Sequence, residues 1–149
     1  MKECIFCKIA SGEIPSYSIY DDKEFLAFLD IYPNTDGMAL VITKKHYDSY
    51  AFDLPEDVFV KLMKVAKKVS GIIDKNLDVK RTAMVMEGMG VNHVHIKLYP
   101  MHGLKEKFEE IWTDKEKTFF NKYPGYITTI LGPEADKDKL KKIAEKIRE

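Results

Sequence analysis

The sequence predicts an α+β domain, and three observations carry that expectation. Runs rich in β-branched and aromatic residues recur at SYSIY, EFLAFLD, GMALVIT, RTAMVME and VNHVHIKLYP. Between the third and fourth, apolar residues repeat at helical spacing over more than four turns. The connections between neighbouring runs are short, which favours antiparallel pairing. A chain of 149 residues with 45% hydrophobic content is long enough for one real core and short for two.

Taken in order, IFCKIASG gives a helical turn or two ended by Gly12. SYSIYDDKEFLAFLD is two β-rich runs broken at Asp21-Asp22, a hairpin signal. The loop IYPNTDG introduces the third strand, GMALVITKKH. DLPE then reads as a helix start, with Asp53 as N-cap, Pro55 in the first turn and Glu56 three residues past the cap. Val58, Leu62, Val65, Val69 and Ile72 form one apolar stripe, and the helix is expected to run to about Asn76. Two more strands, RTAMVME and VNHVHIKLYP, flank the glycine-rich turn GMG, giving an antiparallel sheet of about five strands. Past residue 103 the chain turns charged and aromatic and ends in an amphipathic pattern, DKDKLKKIAEKIRE. Residues 1–103 are therefore expected to form the functional domain and 104–149 a helical C-terminal extension packed on it.

Charge excludes some classes of function. With 24 basic and 24 acidic residues there is no global electrostatic case for binding nucleic acid or an anionic membrane. MKECIFCKIASGEIP lacks the apolar run of a signal peptide, and no apolar stretch approaches the ~20 residues of a spanning helix, so a cytoplasmic protein is expected.

The chemistry-bearing residues cluster at two places. CIFC sets Cys4 and Cys7 in C-x-x-C spacing, which suits a metal pair or a redox dithiol, or two cysteines packed as small hydrophobes. A redox dithiol belongs between a strand and a helix, and no strand precedes this one. A four-coordinate site needs two further ligands; His46, at the end of the third strand, and His93 are the candidates. In VNHVHIKLYP, strand alternation would put His93, His95, Lys97 and Tyr99 on one face and Val94, Ile96 and Leu98 on the other. Alternate residues are about 6.6 Å apart along a strand, so both imidazoles can reach one metal or one phosphate. The patterns of a zinc deaminase and of a P-loop are absent, which leaves phosphate chemistry on histidine, with the lysine stabilising developing charge.

CIFCKIASGEIP, DDKEFLAFLDIYP, GMALVITKKH and VNHVHIKLYP, in that order across roughly residues 3–102, resemble the successive signature blocks of the histidine triad (HIT) superfamily. The branch is that of the nucleoside phosphoramidases and dinucleoside polyphosphate hydrolases. The resemblance implies a HIT-like fold and a homodimer acting on purine nucleotides or dinucleotides. It implies that His95 is a nucleophile that becomes transiently nucleotidylated at the α-phosphorus. It places one structural zinc per chain on Cys4, Cys7, His46 and His93. It also assigns a nucleoside pocket to Ile5, Phe6, Ile9, Phe28, Asp30 and Ile31, with Gly90 in the phosphate turn. Asp30 would accept hydrogen bonds from the ribose and the apolar groups would hold the base.

Three positions depart from the family pattern. The third triad position is Lys97 rather than histidine, the histidine of the third block is Met38, and the phosphate turn is shortened to EGMG, without the polar side chains expected there. A lysine near its usual pKa of ~10.4 holds phosphate oxygens well but gives up its proton poorly. Nucleotide binding is therefore expected to persist, with altered or weakened catalysis. A nucleotide-binding module that has lost efficient turnover is the alternative. The fourth histidine, His102, lies just past the last strand and is expected in a solvated or hydrogen-bonded role.

Overall fold

Asp22 turns the first hairpin. Its Oδ1 accepts the backbone N–H groups of Glu24 and Phe25, each at 2.8 Å, and its Oδ2 accepts the Tyr20 hydroxyl at 2.6 Å. The side chain thereby satisfies donors that the reversing backbone leaves unpaired. In this computed structural model residues 4–110 and 119–122 are described. The strands are β1 (Ser18–Asp21), β2 (Phe25–Leu29), β3 (Ala39–Thr43), β4 (Thr82–Val85) and β5 (His95–Pro100), and the helices α1 (Ile5–Ala10) and α2 (Glu56–Leu77). They form the expected α+β arrangement, one antiparallel five-stranded sheet in the order β1-β2-β3-β5-β4. The chain divides into two compact units, Met1–Phe108 and Glu109–Glu149, and every element above lies in the first. The helix expected at DKDKLKKIAEKIRE lies outside the described residues.

The central strand β3 is buried along its whole length because both faces of the sheet are covered. On one face Ala27, Val41, Val94, Ile96 and Leu98 pack against Leu62, Val65, Ala66, Val69 and Ile73 of α2. On the other, Leu26, Phe28, Leu40 and Ile42 pack with Phe6 of α1. The register pairs Ile42 with His95 and Leu40 with Lys97, so the period-two alternation puts both chemical side chains on the α1 face.

Three local expectations are corrected. Asp53 does not cap α2: it closes a 3-10 turn over Ala51–Asp53, and Leu54 and Pro55 follow in extended conformation before the helix begins at Glu56. The residue before a proline is driven out of the helical region, so the cap cannot lie upstream of Leu54. The stripe of α2 ends on Ile73, with Ile72 half-buried, because 3.6 residues per turn drift from the assumed spacing over 22 residues. Finally, β5 starts at His95 rather than Val91. Residues 91–93 bend, with the His93 N–H on the Val91 carbonyl at 2.8 Å and the Val94 N–H on the Tyr47 carbonyl at 2.9 Å.

Candidate functional site

The C-x-x-C pair sits across the first turn of α1, Cys4 as its N-terminal flanking residue and Cys7 three residues on, which places both sulfurs on one side of the helix. His46 arrives on the loop after β3 and His93 on the bend before β5. The His93 Nε2–H donates to the Thr43 carbonyl at 2.8 Å, which leaves the Nδ1 lone pair facing Cys4 Sγ at 3.5 Å and Cys7 Sγ at 3.6 Å. His46 Nδ1 lies 3.3 Å from Cys7 Sγ, and one donor atom from each of the four residues lies within 4.8 Å of the others. A tetrahedral zinc with bonds of about 2.3 Å to sulfur and 2.0–2.1 Å to nitrogen has sulfur–nitrogen edges of about 3.6 Å. The observed separations match that edge. Both cysteines are free thiols. Burial pushes the Cys7 thiol up, and its neighbour Cys4 pushes the same way, a penalty that a shared divalent cation removes. The backbone carbonyl on the far nitrogen of His93 is the kind of partner that orients a metal-binding imidazole.

On the same face of the sheet lies a cleft of about 400 Å³. Ile5, Phe6 and Ile9 of α1, Phe28, Asp30 and Ile31 at the end of β2, Gly90, His95 and Lys97 all line it. Every residue expected in the nucleoside pocket or its chemistry therefore opens onto one cavity, although the positions span more than ninety residues of sequence. Phe6 is the partition between this cleft and the cysteine–histidine cluster. Its ring meets Phe28, His93 and His95 edge-on, with centroids 5.9, 5.8 and 5.2 Å apart.

His95 is 3% exposed, and its Nδ1–H donates to the His93 carbonyl at 2.7 Å. That bond selects the tautomer with the lone pair on Nε2. Burial, and next the positive charge of Lys97, lower the His95 pKa against the raising effects of the His93 carbonyl, Glu87 and Asp30. The lowered pKa favours the neutral ring, the nucleophilic form. Asp30 Oδ1 accepts the Tyr32 N–H at 2.8 Å, which fixes the carboxylate at the cleft wall.

Glu87 is the partner of Lys97 that sequence reasoning missed. The EGMG turn does carry a polar side chain onto Lys97: Lys97 Nζ donates to Glu87 Oε1, and Glu87 Oε2 accepts the Met89 N–H. Its side chain is 11% exposed. Burial acts to raise its pKa, but the hydrogen bonds from Lys97 and Met89 outweigh it and hold the carboxyl below the usual range. Nothing in the spacing joins two residues ten apart on either side of a loop. Met38 is buried outside the cleft lining, and its carbonyl accepts the Asp30 N–H at 2.9 Å. His102 is exposed and donates from Nε2 to the Asp36 carbonyl at 2.8 Å, the hydrogen-bonded role expected of it.

Comparison with known proteins follows the same lines. Residues 11–103 match the HIT domain. The chain belongs to the HIT family. An uncharacterised HIT-like protein of Methanocaldococcus jannaschii is 37% identical over 115 residues, 72% of this chain and 88% of that one. The adenosine 5'-monophosphoramidase of Saccharomyces cerevisiae is 35% identical over 122 residues, 78% of this chain and 73% of its own. Among solved structures, a HIT family member from Bacillus subtilis superposes with a TM-score of 0.69 at 27% identity, covering 98% of this chain and 95% of that one. A zinc-bound histidine triad family protein from Mycobacterium smegmatis does so with a TM-score of 0.64 at 29% identity, over 74% and 84% of the two chains. Within this HIT chain the third triad position is a lysine that is ion-paired in the cleft.

Proposed function

We propose that the protein is a nucleotide hydrolase or transferase acting at the α-phosphorus of purine nucleoside phosphoramidates or dinucleoside polyphosphates, through a nucleotidyl group carried on His95. We place the activity in residues 1–103. One observation carries the reading: a buried, neutral imidazole whose tautomer is set by the His93 carbonyl opens onto an apolar cleft holding a carboxylate and an ammonium group. The 35% identity to an adenosine 5'-monophosphoramidase supports the substrate class.

In this reading the base lies among Ile5, Phe6, Ile9, Phe28 and Ile31, and Asp30 accepts the ribose hydroxyls. His95 Nε2 attacks phosphorus as the bond from phosphorus to the leaving nitrogen or oxygen breaks; the leaving group keeps the electron pair and takes up a proton. The intermediate is a cationic nucleotidyl-imidazole, and the Nδ1–H bond to the His93 carbonyl strengthens as that charge develops. Water then attacks phosphorus, the P–Nε2 bond breaks, one proton is released, and neutral His95 returns. Lys97 holds phosphate oxygens throughout.

We take the cation at Cys4, Cys7, His46 and His93 to be one structural zinc per chain, as two sulfur and two nitrogen donors favour and as the zinc-bound mycobacterial relative supports. When bound, it ties α1 to the sheet and so holds one wall of the cleft. A homodimer in the cytoplasm completes the reading. It is supported by the edge strand β4, where Met84 is 45% exposed beside a groove of about 210 Å³ lined by Met63, Ala66 and Leu98. No helix among the described residues is long and apolar enough to cross a membrane.

A nucleotide-binding module with weak turnover is the second reading, and the Lys97–Glu87 pair favours it, since it occupies the place of a proton-moving histidine. Rapid quenching without acid after mixing with adenosine 5'-phosphoramidate, followed by mass measurement, separates the two. An adenylyl adduct that disappears in His95→Ala establishes the enzyme; nucleotide affinity with neither adduct nor turnover leaves the binding module.

A further inference from the structure

Lys97 is the only cationic side chain among the described residues lining the cleft, and Asp30 is the anionic one. Behind Lys97 stands Glu87, held from both oxygens by Lys97 Nζ and the Met89 N–H. The turn that presents it is built with little freedom. Gly88 has φ +68°, and a Cβ there would lie 2.7 Å from the Ser49 carbonyl oxygen, so only glycine lets the two loops touch. Ser49 is in turn fixed by its N–H on Asn92 Oδ1 at 2.9 Å, and Asn92 Nδ2 donates to Asp48 Oδ1 at 2.9 Å. The carboxylate is therefore braced across the loop that precedes β5 and the loop that follows His46.

The one ammonium group that faces the cleft, Lys97, is offset from behind by the Glu87 carboxylate, and the cleft wall carries a second carboxylate, Asp30, so the described lining has no net positive charge. We propose that Glu87 is a specificity-determining positioning residue, which holds Lys97 against its carboxylate and so tunes the cleft to substrates of low charge at phosphorus, phosphoramidates of nucleoside monophosphates, over polyanionic dinucleoside polyphosphates. The inference rests on the proposed nucleotide chemistry. A singly charged phosphoramidate meets one ammonium whose field is largely spent on Glu87, enough to orient it. Each further phosphate brings negative charge into a space where, among the described residues lining it, no other cation stands to meet it.

The test is a binding ladder of adenosine, AMP, ADP and ATP, measured by titration calorimetry on the whole zinc-loaded protein and on Glu87→Gln and Lys97→Gln. Wild type is expected to bind AMP more tightly than ATP. Glu87→Gln should raise affinity for ATP relative to AMP by roughly tenfold, and Lys97→Gln, which leaves the Glu87 charge unbalanced, should steepen the decline by a similar factor. Adenosine affinity should stay constant, a control that loss of fold would not pass. An unchanged ATP-to-AMP ratio in Glu87→Gln with adenosine binding intact would overturn the proposal. Were that variant to lose adenosine, Lys97→Gln decides: a steeper ladder supports the proposal and a flat or unchanged one overturns it. Failure of wild type to bind any of the four ligands would instead sink the cleft reading, and this one with it.

Discussion

Chelating the proposed zinc from the whole protein is expected to loosen α1 and weaken nucleoside binding, with His95, Lys97 and Asp30 left in place. The helix is six residues long, well under the ~12–15 residues at which an isolated helix becomes marginally stable, and Phe6 is its one fully buried side chain. Beyond that, Ile9 and Ala10 pack only partly buried on the same cluster, and Cys4 and Cys7 face His46 and His93. Yet α1 contributes Ile5, Phe6 and Ile9 to the cleft. Losing the packing of one aromatic side chain against a base is worth about 1.5–3 kcal/mol, and each 1.4 kcal/mol is tenfold in affinity. Adenosine and AMP should therefore bind roughly ten- to hundredfold more weakly to the metal-free protein by calorimetry. Amide exchange over residues 4–10 should rise together with that loss, and zinc should reverse both. Cys7→Ser should behave like the chelated protein, whereas Phe6→Ala should lose affinity with its zinc retained. Adenosine affinity within about twofold of the metal-loaded value, with α1 amides still protected, would refute the reasoning.

Other expectations follow from single residues. Lys97→His restores a group that exchanges its proton near neutral pH and should raise turnover of phosphoramidates about tenfold while widening the range of leaving groups, read from steady-state kinetics over a substrate series; unchanged kinetics would remove the role given to the lysine. Asp22→Ala deletes three hydrogen bonds at the first hairpin and should cost about 1–3 kcal/mol, a drop of several degrees in Tm. Burial acts to raise the Asp22 pKa, but the Tyr20 hydroxyl and the Glu24 and Phe25 amides prevail and lower it. The carboxylate's contribution is thus complete above the unfolded pKa of about 3.9 and is lost as pH falls through the lower folded value, so the wild-type advantage in Tm should shrink below about pH 4. Gly88→Ala forces a side chain into a positive-φ site against Ser49 and should cost about 1–3 kcal/mol in urea unfolding, with turnover falling further than stability because Glu87 moves with the turn.

Much of the fold was legible because its signals are local. The β-rich run EFLAFLD and the Asp-Asp hairpin break show in local residue preference, and the alternation in HIKLYP and the apolar stripe of α2 in periods of two and 3.6, which the chain carries wherever it goes. Errors fell at element ends, where neighbours decide: Leu54 before a proline displaced the expected cap from Asp53, and the Tyr47 carbonyl took the Val94 N–H and delayed β5 to His95. The cluster of Cys4, Cys7, His46 and His93 was legible from residue chemistry, since few groups bind soft or borderline cations and the chain has two cysteines and four histidines.

The sequence by itself determined which residues could bind a cation, because that capacity belongs to side chains and short spacings; the expectation that His95 attacks phosphorus and Asp30 faces a ribose came from the resemblance of four ordered blocks to the family. Tertiary structure decided how they meet. The β3–β5 register set His95 beside Ile42 and Lys97 beside Leu40 on the face that α1 covers, which made one cleft of scattered positions. The same packing brought Glu87 onto Lys97 across the loop before β5. An ion pair of that kind has no period and no motif; it exists because two loops and a strand converge, and its charge balance is a property of that space alone.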